Sequence, residues 1–261
     1  MTWPLLHVED LSKSYGGVHA VRGVSFALER GELLAMIGPN GAGKSTCFNM
    51  LNGQVHPDAG RIRIDGEDTT RLSPRQVWRR GVGRTFQITA TFSSMTVREN
   101  VQVGLLSHKG AVARMAGYAG AREVAEAQAL LDLVGMGPMA ARSSGELAYG
   151  DLKRLELAVA LTNAPSLLLM DEPTAGMAPG DRVELMRLAA NIARERRIGI
   201  LFTEHDMDVV FEHADRVIVL DRGRIIAEGD PITVRQDPKV RATYLGEGHV
   251  FAPSMSGAAG R

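Results

Sequence analysis

The chain has 261 residues, of which 44% are hydrophobic and 23% are charged, the balance of an ordinary globular protein. Its 30 Lys and Arg residues equal its 30 Asp and Glu residues, so no net field draws it to nucleic acid or to an acidic membrane surface. The longest uncharged run is residues 157–170, which is shorter than the ~18–20 apolar residues of a membrane span. A single cysteine, Cys47, permits no internal disulfide and fits a reducing compartment. Length and composition predict one large domain or one domain with an insertion, and they exclude disordered, collagen-like and disulfide-stapled chains.

Short apolar runs predict the strands of a sheet. Four runs are continuous, as in strands that are buried on both faces of a parallel sheet, and they cover residues 33–37, 167–170, 198–202 and 217–220. Residues 24–28 and 62–64 instead alternate apolar and polar side chains, as strands do. Helical spacing of apolar residues follows Pro179, which favours the first turn of a helix. Alternating strands and helices indicate an α/β layered domain.

The segment from about residue 84 to residue 160 differs, because its apolar residues recur mostly at helical spacing. Thr96 and Glu99 have the spacing of a capping box at the start of a helix. Residues 110–120 are mostly small and predict a loop. We therefore expect a helical insertion inside the α/β domain.

A nine-residue segment after the first continuous apolar run matches the phosphate-binding pattern G-x4-G-K-[ST]. It consists of Gly38, Pro39, Asn40, Gly41, Ala42, Gly43, Lys44, Ser45 and Thr46. Glycines let backbone N–H groups surround phosphate oxygens, and the helix that follows directs its positive dipole end at the same anion. Lys44 supplies a positive charge for the β- and γ-phosphates, and Ser45 offers a hydroxyl to Mg²⁺. The strand, loop and helix in this order predict nucleotide binding.

A second chemical signal follows the apolar run at residues 167–170, where the chain continues with Asp171 and Glu172. An aspartate at a strand end can hold Mg²⁺ directly or through water. The adjacent Glu172 can orient or deprotonate an attacking water. Two solvated acids at a strand end are the alternative, but the phosphate loop upstream favours a site that hydrolyses nucleotides.

The order of these motifs resembles the ATP-binding subunits of ABC transporters over about residues 5–246. Tyr15 matches the aromatic residue that stacks on adenine, a sensible partner for a base. Gln87 matches the glutamine that touches Mg²⁺ and water and links to the transporter, and residues 147–151 stand where the LSGGQ signature belongs. His205 matches the switch histidine that contacts the γ-phosphate.

This resemblance implies an ATPase that uses ATP and Mg²⁺. The residues that it assigns to catalysis are Glu172, His205, Gln87 and Lys44. The implied Mg²⁺ ligands are Ser45, Gln87 and Asp171. ATP would be bound by Tyr15, by residues 38–46 and, from a second subunit, by Gly150.

The resemblance also implies a P-loop NTPase core with a mostly parallel sheet, an N-terminal antiparallel β part and an inserted helical subdomain. The core would comprise about residues 5–84 and 161–230, and the helical subdomain with the signature about residues 85–160. Residues 231–246 would form a C-terminal helical tail, and residues 247–261 would be flexible.

Three departures from the family pattern concern the signature and the loop after Glu172. Ala148 replaces the signature serine, and Asp151, which we expect to point away from the phosphates, replaces its glutamine. Residues 175–178 stand where S-A-L-D is usual, so coupling between subunits through this loop is open. Ala148, this loop and the tail at 237–247 resemble the branched-chain amino-acid importers, although similar tails occur in lipopolysaccharide-export and urea-import ATPases.

By resemblance, two ATPase subunits face each other head to tail on the cytoplasmic face of the inner or plasma membrane. The second subunit is identical or paralogous, and the segment at about residues 88–101 would transmit motion to integral-membrane permease subunits. An extracytoplasmic solute-binding protein would take part indirectly, and nucleic acid would not. These expectations predict an ATPase that powers the uptake of branched-chain amino acids or related small solutes.

Other classes of protein share the phosphate loop. A GTPase needs a base-reading N-K-x-D or T-K-x-D segment, and no lysine of this chain is followed two positions later by aspartate. A small-molecule kinase transfers phosphate to an acceptor, whereas Glu172 and His205 suit water. The remaining alternatives are the lipopolysaccharide-export and urea-import ATPases and a soluble, non-transport ABC ATPase, which usually carries two ATPase units or a long coiled coil.

Overall fold

The computed structural model describes residues 3–85, 91–110 and 121–245, and in these ranges strands and helices alternate along the chain. The strands are β1 (Leu6–Tyr15), β2 (Val18–Leu28), β3 (Leu33–Ile37), β4 (Ala59–Ile64), β5 (Glu67–Asp68), β6 (Val82–Thr85), β7 (Leu167–Asp171), β8 (Gly199–Thr203), β9 (Arg216–Asp221) and β10 (Arg224–Gly229). The helices are α1 (Lys44–Leu51), α2 (Pro74–Arg79), α3 (Val97–His108), α4 (Ala121–Leu133), α5 (Tyr149–Ala160), α6 (Pro179–Arg196), α7 (Met207–His213), α8 (Pro231–Gln236) and α9 (Pro238–Leu245).

The larger sheet has the strand order β10-β9-β3-β8-β7-β6 in the described ranges. Its neighbouring strands are parallel except for the antiparallel pair of β9 and β10. All five residues of β3 are buried, and they alternate between two hydrophobic cores on opposite faces of the sheet. The four continuous apolar runs are therefore strands of one mostly parallel sheet, as the sequence predicts.

The smaller sheet is antiparallel and has the order β2-β1-β4-β5. Val8 pairs with Phe26 on one side and with Ile62 on the other, so the two alternating segments lie on either side of β1. Their apolar side chains share a core with Phe48 and Cys47 of α1. This arrangement confirms the N-terminal antiparallel part and places it beside the helix that follows the phosphate loop.

The insertion between β6 and β7 is helical and packs on the opposite core, which it shares with α6 and α7. Thr96 and Glu99 form the predicted capping box: the Glu99 N–H donates to Thr96 Oγ1 at 3.2 Å, and the Thr96 N–H donates to Glu99 Oε2 at 2.7 Å. The helical segment begins later than its predicted start near residue 84, because Arg84 and Thr85 belong to β6. The loop predicted at residues 110–120 lies outside the described residues from 111 onward.

The C-terminal tail consists of two short helices, α8 and α9, because Pro238 lacks the N–H that would continue α8. Val240 and Tyr244 bury α9 against the core. Residues 242 and 243 of α9 line a cavity of about 510 Å³ whose other wall includes Asn40 and Gly41 of the phosphate loop. The predicted flexible segment at 247–261 lies outside the described residues.

The described helices include none with both the length and the apolar character of a membrane span. The parallel sheet positions the candidate site instead. Because β3, β8 and β7 are neighbours and parallel, the segments that follow them emerge at one edge of the sheet. Ligands bind at this carboxyl edge in open α/β sheets.

We expect Thr96→Ala to lower the free energy of unfolding by about 1 kcal/mol, because α3 loses its side-chain cap, while Thr96→Ser should retain most of it. Hydrogen bonds from the Thr96 backbone and then its side chain lower the pKa of Glu99 below the ordinary value of 4.5. A lowered folded-state pKa adds stability above that value and loses it as the pH falls through the folded-state pKa. Urea denaturation should show a Thr96→Ala deficit that shrinks as the pH falls below 4.5; a deficit that grows there would contradict the pairing.

Candidate active site

The phosphate loop connects β3 to α1 and packs tightly against neighbouring backbone. Gly38 and Gly43 have φ angles of 151° and 108°, which side chains other than glycine rarely adopt. A Cβ atom on Gly43 would lie 2.5 Å from the carbonyl oxygen of Ala20, and one on Gly38 would overlap the carbonyl oxygen of Leu220. The two glycines thus let the loop lie against β2 and β9.

Lys44 begins α1 and is buried among the loop carbonyls. Its Nζ donates to the Gly38 oxygen at 2.5 Å and to the Pro39 oxygen at 3.2 Å. No side chain of the described residues caps α1 at Gly43, so the first-turn N–H groups and the dipole face the loop. Ser45 is exposed in this first turn, and Thr46 is half-buried.

Asp171 ends β7 and pairs in register with Thr203 of β8. The Thr203 hydroxyl donates to Asp171 Oδ1 at 2.8 Å and accepts from the Glu172 N–H at 3.1 Å. Arg84 Nη2 donates to the other carboxylate oxygen, Asp171 Oδ2, at 3.2 Å. Burial lowers the pKa of Arg84, but a guanidinium remains charged at neutral pH, so the pair is ionic.

Glu172 follows Asp171 in a strained backbone conformation, with a φ of 48°. Such conformations cost on the order of 1 kcal/mol and persist where the surroundings impose them, often at functional sites. Its Oε1 lies 2.8 Å from Nε2 of His205, which follows β8. An ionised carboxylate only accepts, so Nε2 of His205 carries the proton in this bond. The structure therefore brings together two of the residues that the sequence assigns to catalysis.

A third acid, Glu204, lies between Thr203 and His205 and is 3% exposed. Its Oε1 accepts from the N–H of Thr174 at 2.9 Å and from the Thr174 hydroxyl at 2.6 Å, and its Oε2 accepts from the His205 N–H at 3.1 Å. Arg182 forms a second connection, since it donates to the Met177 oxygen at 2.8 Å and to Asp206 Oδ2 at 2.5 Å. The loops after β7 and β8 are therefore joined at two places besides the bond between Glu172 and His205.

The sequence motifs give no role to Arg84, Thr203 or Glu204. Thr203 and Glu204 adjoin His205, and this position is the one sequence signal for them. No sequence signal points to Arg84, because its contact with Asp171 follows from the neighbouring positions of β6 and β7 in the sheet.

Tyr15 ends β1 and is 47% exposed, with Lys13 Nζ 5.6 Å from the ring centroid. Its hairpin reaches the phosphate loop, because Ala20 of β2 touches Gly43. Gly150 lies in the first turn of α5, where its nearest side-chain neighbour is Asp181 of α6. Gln87 lies outside the described residues.

Tyr149, beside Gly150, is 42% exposed and connects the signature segment to the loop after Glu172. Its hydroxyl donates to the Ala175 oxygen at 3.1 Å. Ala148 precedes α5 as its N-cap residue, and no side chain of the described residues caps the helix there. The first-turn N–H groups of α5 are thus as open to an anion as those of α1.

Cys47 is fully buried in α1, and burial raises the pKa of its thiol to about 12. A protonated, buried thiol is unreactive, which agrees with a packing role. In the ranges that the structure describes, no three His, Cys, Asp or Glu residues are grouped so as to hold a metal ion by themselves.

Family profiles match two separate parts of the chain. A profile described as ABC transporter matches residues 21–175, and one described as branched-chain amino acid ATP-binding cassette transporter matches residues 224–250.

Similar sequences and structures extend over nearly the whole chain. BraF of Pseudomonas aeruginosa, a high-affinity branched-chain amino acid transport ATP-binding protein, is 39% identical over 254 residues, which cover 95% of this chain and 100% of BraF. LivG of Escherichia coli K12, described in the same terms, is 38% identical, with coverage of 95% and 100%. A solved cassette of an ABC transporter in its ADP conformation has a TM-score of 0.86 and 32% identity, and covers 94% of this chain and 100% of its own. A nucleotide-free cassette has a TM-score of 0.83 and 32% identity, with coverage of 92% and 98%.

The fold and the phosphate loop define a P-loop NTPase core with an inserted helical part. The chain belongs to the ABC transporter family. It is an ATP-binding subunit with ATPase activity, homologous to the branched-chain amino acid transport ATPases.

We expect Arg84→Met to lower the free energy of unfolding by about 3 kcal/mol, because it leaves the part-buried Asp171 carboxylate without its cation. The side chains of Arg84 and Asp171 are only 12% and 15% exposed. Arg80→Met is the matched control, because Arg80 pairs with Glu67 at 39% and 66% exposure and such pairs contribute about 1 kcal/mol or less. Equal losses for both variants in urea denaturation would contradict the importance of the buried pair.

Proposed function

We propose that ATP is hydrolysed where the segments after β3, β7 and β8 meet, and that this hydrolysis powers uptake of branched-chain amino acids or related small solutes. The observation that carries the proposal is the pairing of Glu172 with His205 at 2.8 Å, at the same sheet edge as the phosphate loop. Nucleotide hydrolysis needs a carboxylate that accepts a proton from the attacking water and a group that donates a hydrogen bond to the γ-phosphate. Glu172 and His205 are groups of these two kinds.

In this proposal the phosphate loop binds the triphosphate through its backbone N–H groups and the N-terminus of α1. The ammonium of Lys44 exchanges its bonds to the Gly38 and Pro39 oxygens for bonds to the β- and γ-phosphates. Tyr15 stacks on adenine, an assignment supported by its exposure in the hairpin whose Ala20 contacts the loop. Pro39, Asn40, Gly41 and Ala42 of the loop line the cavity that it shares with α9, and we assign them to ATP binding. The proposal also includes Thr46, which is half-buried in the first turn of α1.

Mg²⁺ fits the oxygen ligands at this edge of the sheet. We assign it to the Ser45 hydroxyl, the Asp171 carboxylate and Gln87. Each Asp171 oxygen accepts one hydrogen bond from Thr203 or Arg84, and a carboxylate oxygen can accept a second interaction. Few protein ligands are needed, since Mg²⁺ in such sites keeps waters and phosphate oxygens, and when bound it neutralises charge on the phosphates.

Hydrolysis then follows from the positions of Glu172 and His205. The Glu172 carboxylate accepts a proton from the attacking water, whose oxygen forms a bond to the γ-phosphorus as the bond to the bridging oxygen breaks and ADP leaves. A neutral His205 has one N–H, at Nε2, which here is bonded to Glu172. When ATP binds, its γ-phosphate offers this N–H a stronger acceptor than Glu172. His205 then donates its hydrogen bond to the phosphate, and the Glu172 carboxylate becomes free to bind water.

Two copies of the cassette, identical or paralogous, complete the site in this proposal. The first turn of α5, with Gly150, would face the γ-phosphate bound by the partner subunit. This placement of α5 is supported by the uncapped N-terminus of the helix, which is exposed at Ala148 and Tyr149. ATP drives closure because it binds the closed pair better than the open one.

A groove between α2, β6, α3 and α5 suits a permease segment. It has a volume of about 400 Å³ and an apolar lining that includes Trp78, Phe92 and Val103. Phe92 is 52% exposed, and its backbone is bonded to the Asn100 and Ser144 side chains, at 2.7 and 2.8 Å. Arg84 also lines the groove, so a bound segment would contact the ion pair of Asp171 directly.

The solute assignment rests on relatives that are described as branched-chain amino acid transport proteins. We assign the subunit to the cytoplasmic face of the inner or plasma membrane, where it meets permease subunits and, through them, an extracytoplasmic solute-binding protein. The match at residues 224–250 favours this solute class over lipopolysaccharide or urea.

Glu172→Gln should retain ATP binding and accumulate an ATP-bound dimer, while the hydrolysis rate falls by ~10²-fold or more. The amide keeps the shape of the side chain but cannot take the proton from water. Hydrolysis and chromatographic size with ATP and Mg²⁺ measure both effects, and the exposed Glu195→Gln is the control. A Glu172→Gln protein that turns over normally would remove Glu172 from its role.

Phe92→Ser should leave ATP hydrolysis by the isolated chain within about twofold, since Phe92 lies outside the catalytic pair, and should abolish coupling to the permease. The measurement is uptake of radiolabelled leucine by proteoliposomes that contain the full transporter. Trp3→Ser, at another exposed aromatic residue, is the matched control. Unchanged leucine uptake by the Phe92→Ser transporter would show that the permease does not bind in this groove.

A further inference from the structure

We propose that Glu204 is a positioning residue that holds Glu172 and His205 in their reactive arrangement. The inference rests on the proposed roles of these two residues in hydrolysis. It concerns a side chain that touches neither of the two reactive groups directly but is bonded to the backbone on both sides of the pair.

The contacts of Glu204 join the two loops that carry the pair. Thr174 is two residues after Glu172, and Glu204 Oε1 accepts from both its N–H and its hydroxyl, at 2.9 and 2.6 Å. Oε2 accepts from the N–H of His205 itself at 3.1 Å. A single carboxylate therefore fixes the backbone next to both reactive side chains.

The residue between Glu172 and Thr174 makes this connection stiff. Pro173 has a fixed φ, so the chain from Thr174 back to Glu172 has little freedom. On its other side Glu172 is held by the bonds of its N–H to Thr203. The position of Thr174 thus determines how the strained backbone of Glu172 directs its carboxylate.

The burial of Glu204 argues that the carboxylate is retained for its geometry. It is 3% exposed, and the described residues place no Lys, Arg or His nitrogen in ion-pair range of it. Burying a charge is costly unless strong hydrogen bonds compensate, and all three donors here bond to an ionised acceptor. A neutral side chain would fill the same space but could not accept all three bonds.

Arg182 and Asp206 form a second connection between the loops that does not involve Glu204. Because this connection remains when Glu204 is changed, the loops should keep their overall position. Arg182 connects Met177 to Asp206, the residue that caps α7. With this connection intact, loss of the Glu204 hydrogen bonds should displace Glu172 and His205 without unfolding the loops. The effect should therefore appear in kcat and not in the KM for ATP.

The first test compares Glu204→Gln with the parent chain. The amide has one oxygen and one NH₂ group, so it satisfies either Thr174 or His205 but not both. We expect kcat to fall about 10-fold with KM for ATP within about twofold, since small misplacements of reacting groups cost this much. A kcat unchanged at wild-type thermal stability, or a loss confined to KM, would overturn the proposal.

The second test removes the partner hydroxyl. Thr174→Val has the same shape but loses the 2.6 Å bond, whereas Thr174→Ser keeps it. We expect Val to lower kcat several-fold and Ser to restore it. Thr70→Val is the control, because Thr70 is also buried and its hydroxyl also makes a hydrogen bond, in this case with the backbone N–H of Ile62 in the antiparallel part.

A double variant and a reference variant make the outcomes distinct. The kcat losses of Glu204→Gln and Thr174→Val should be less than additive when combined, because both disturb one connection. Fully additive losses, or a Thr174→Val chain that behaves as Thr70→Val does, would overturn the positioning role. Normal hydrolysis by Glu172→Gln would instead overturn the proposed function, whatever Glu204→Gln does.

Discussion

The bond network of Thr203 is the constraint on which the rest of the site depends. Because β7 and β8 are parallel and in register, this buried threonine lies opposite Asp171. Its hydroxyl donates to the Asp171 carboxylate and accepts from the N–H of Glu172, and its backbone oxygen accepts from the same N–H at 3.1 Å. The strained backbone of Glu172 is therefore imposed by the sheet itself. A shift of one residue between the two strands would separate both acids from their partners.

Three acids occupy this edge of the sheet, and their partners give each a different character. Asp171 is paired with the Arg84 guanidinium, which stabilises its charge. Glu172 is paired with a histidine whose side chain is 46% exposed. Glu204 is buried and bonded to backbone and hydroxyl donors. The three acids thus differ in partner: one pairs with a guanidinium, one with an imidazole, and one with backbone and hydroxyl groups.

Much of the fold follows from local patterns in the sequence. Continuous apolar runs identify strands buried on both faces, and the Thr96 capping box identifies the start of α3, because both signals act over a few residues. The motif order also identifies the family and the edge at which the candidate site lies. The partnership of Arg84 with Asp171 and the burial of Glu204 depend on strand order and on packing between distant segments, and a single sequence carries no local signal for either.

The position of α9 has a practical consequence for handling the protein. Ala242 and Thr243 line a cavity shared with the phosphate loop, so a label attached at either residue would compete for space with a ligand at the loop. Trp3 is exposed and lies ahead of β1, whose first residue is roughly 30 Å of extended chain away from Tyr15. Labels for spectroscopy or surface immobilisation therefore belong near Trp3 and not on α9.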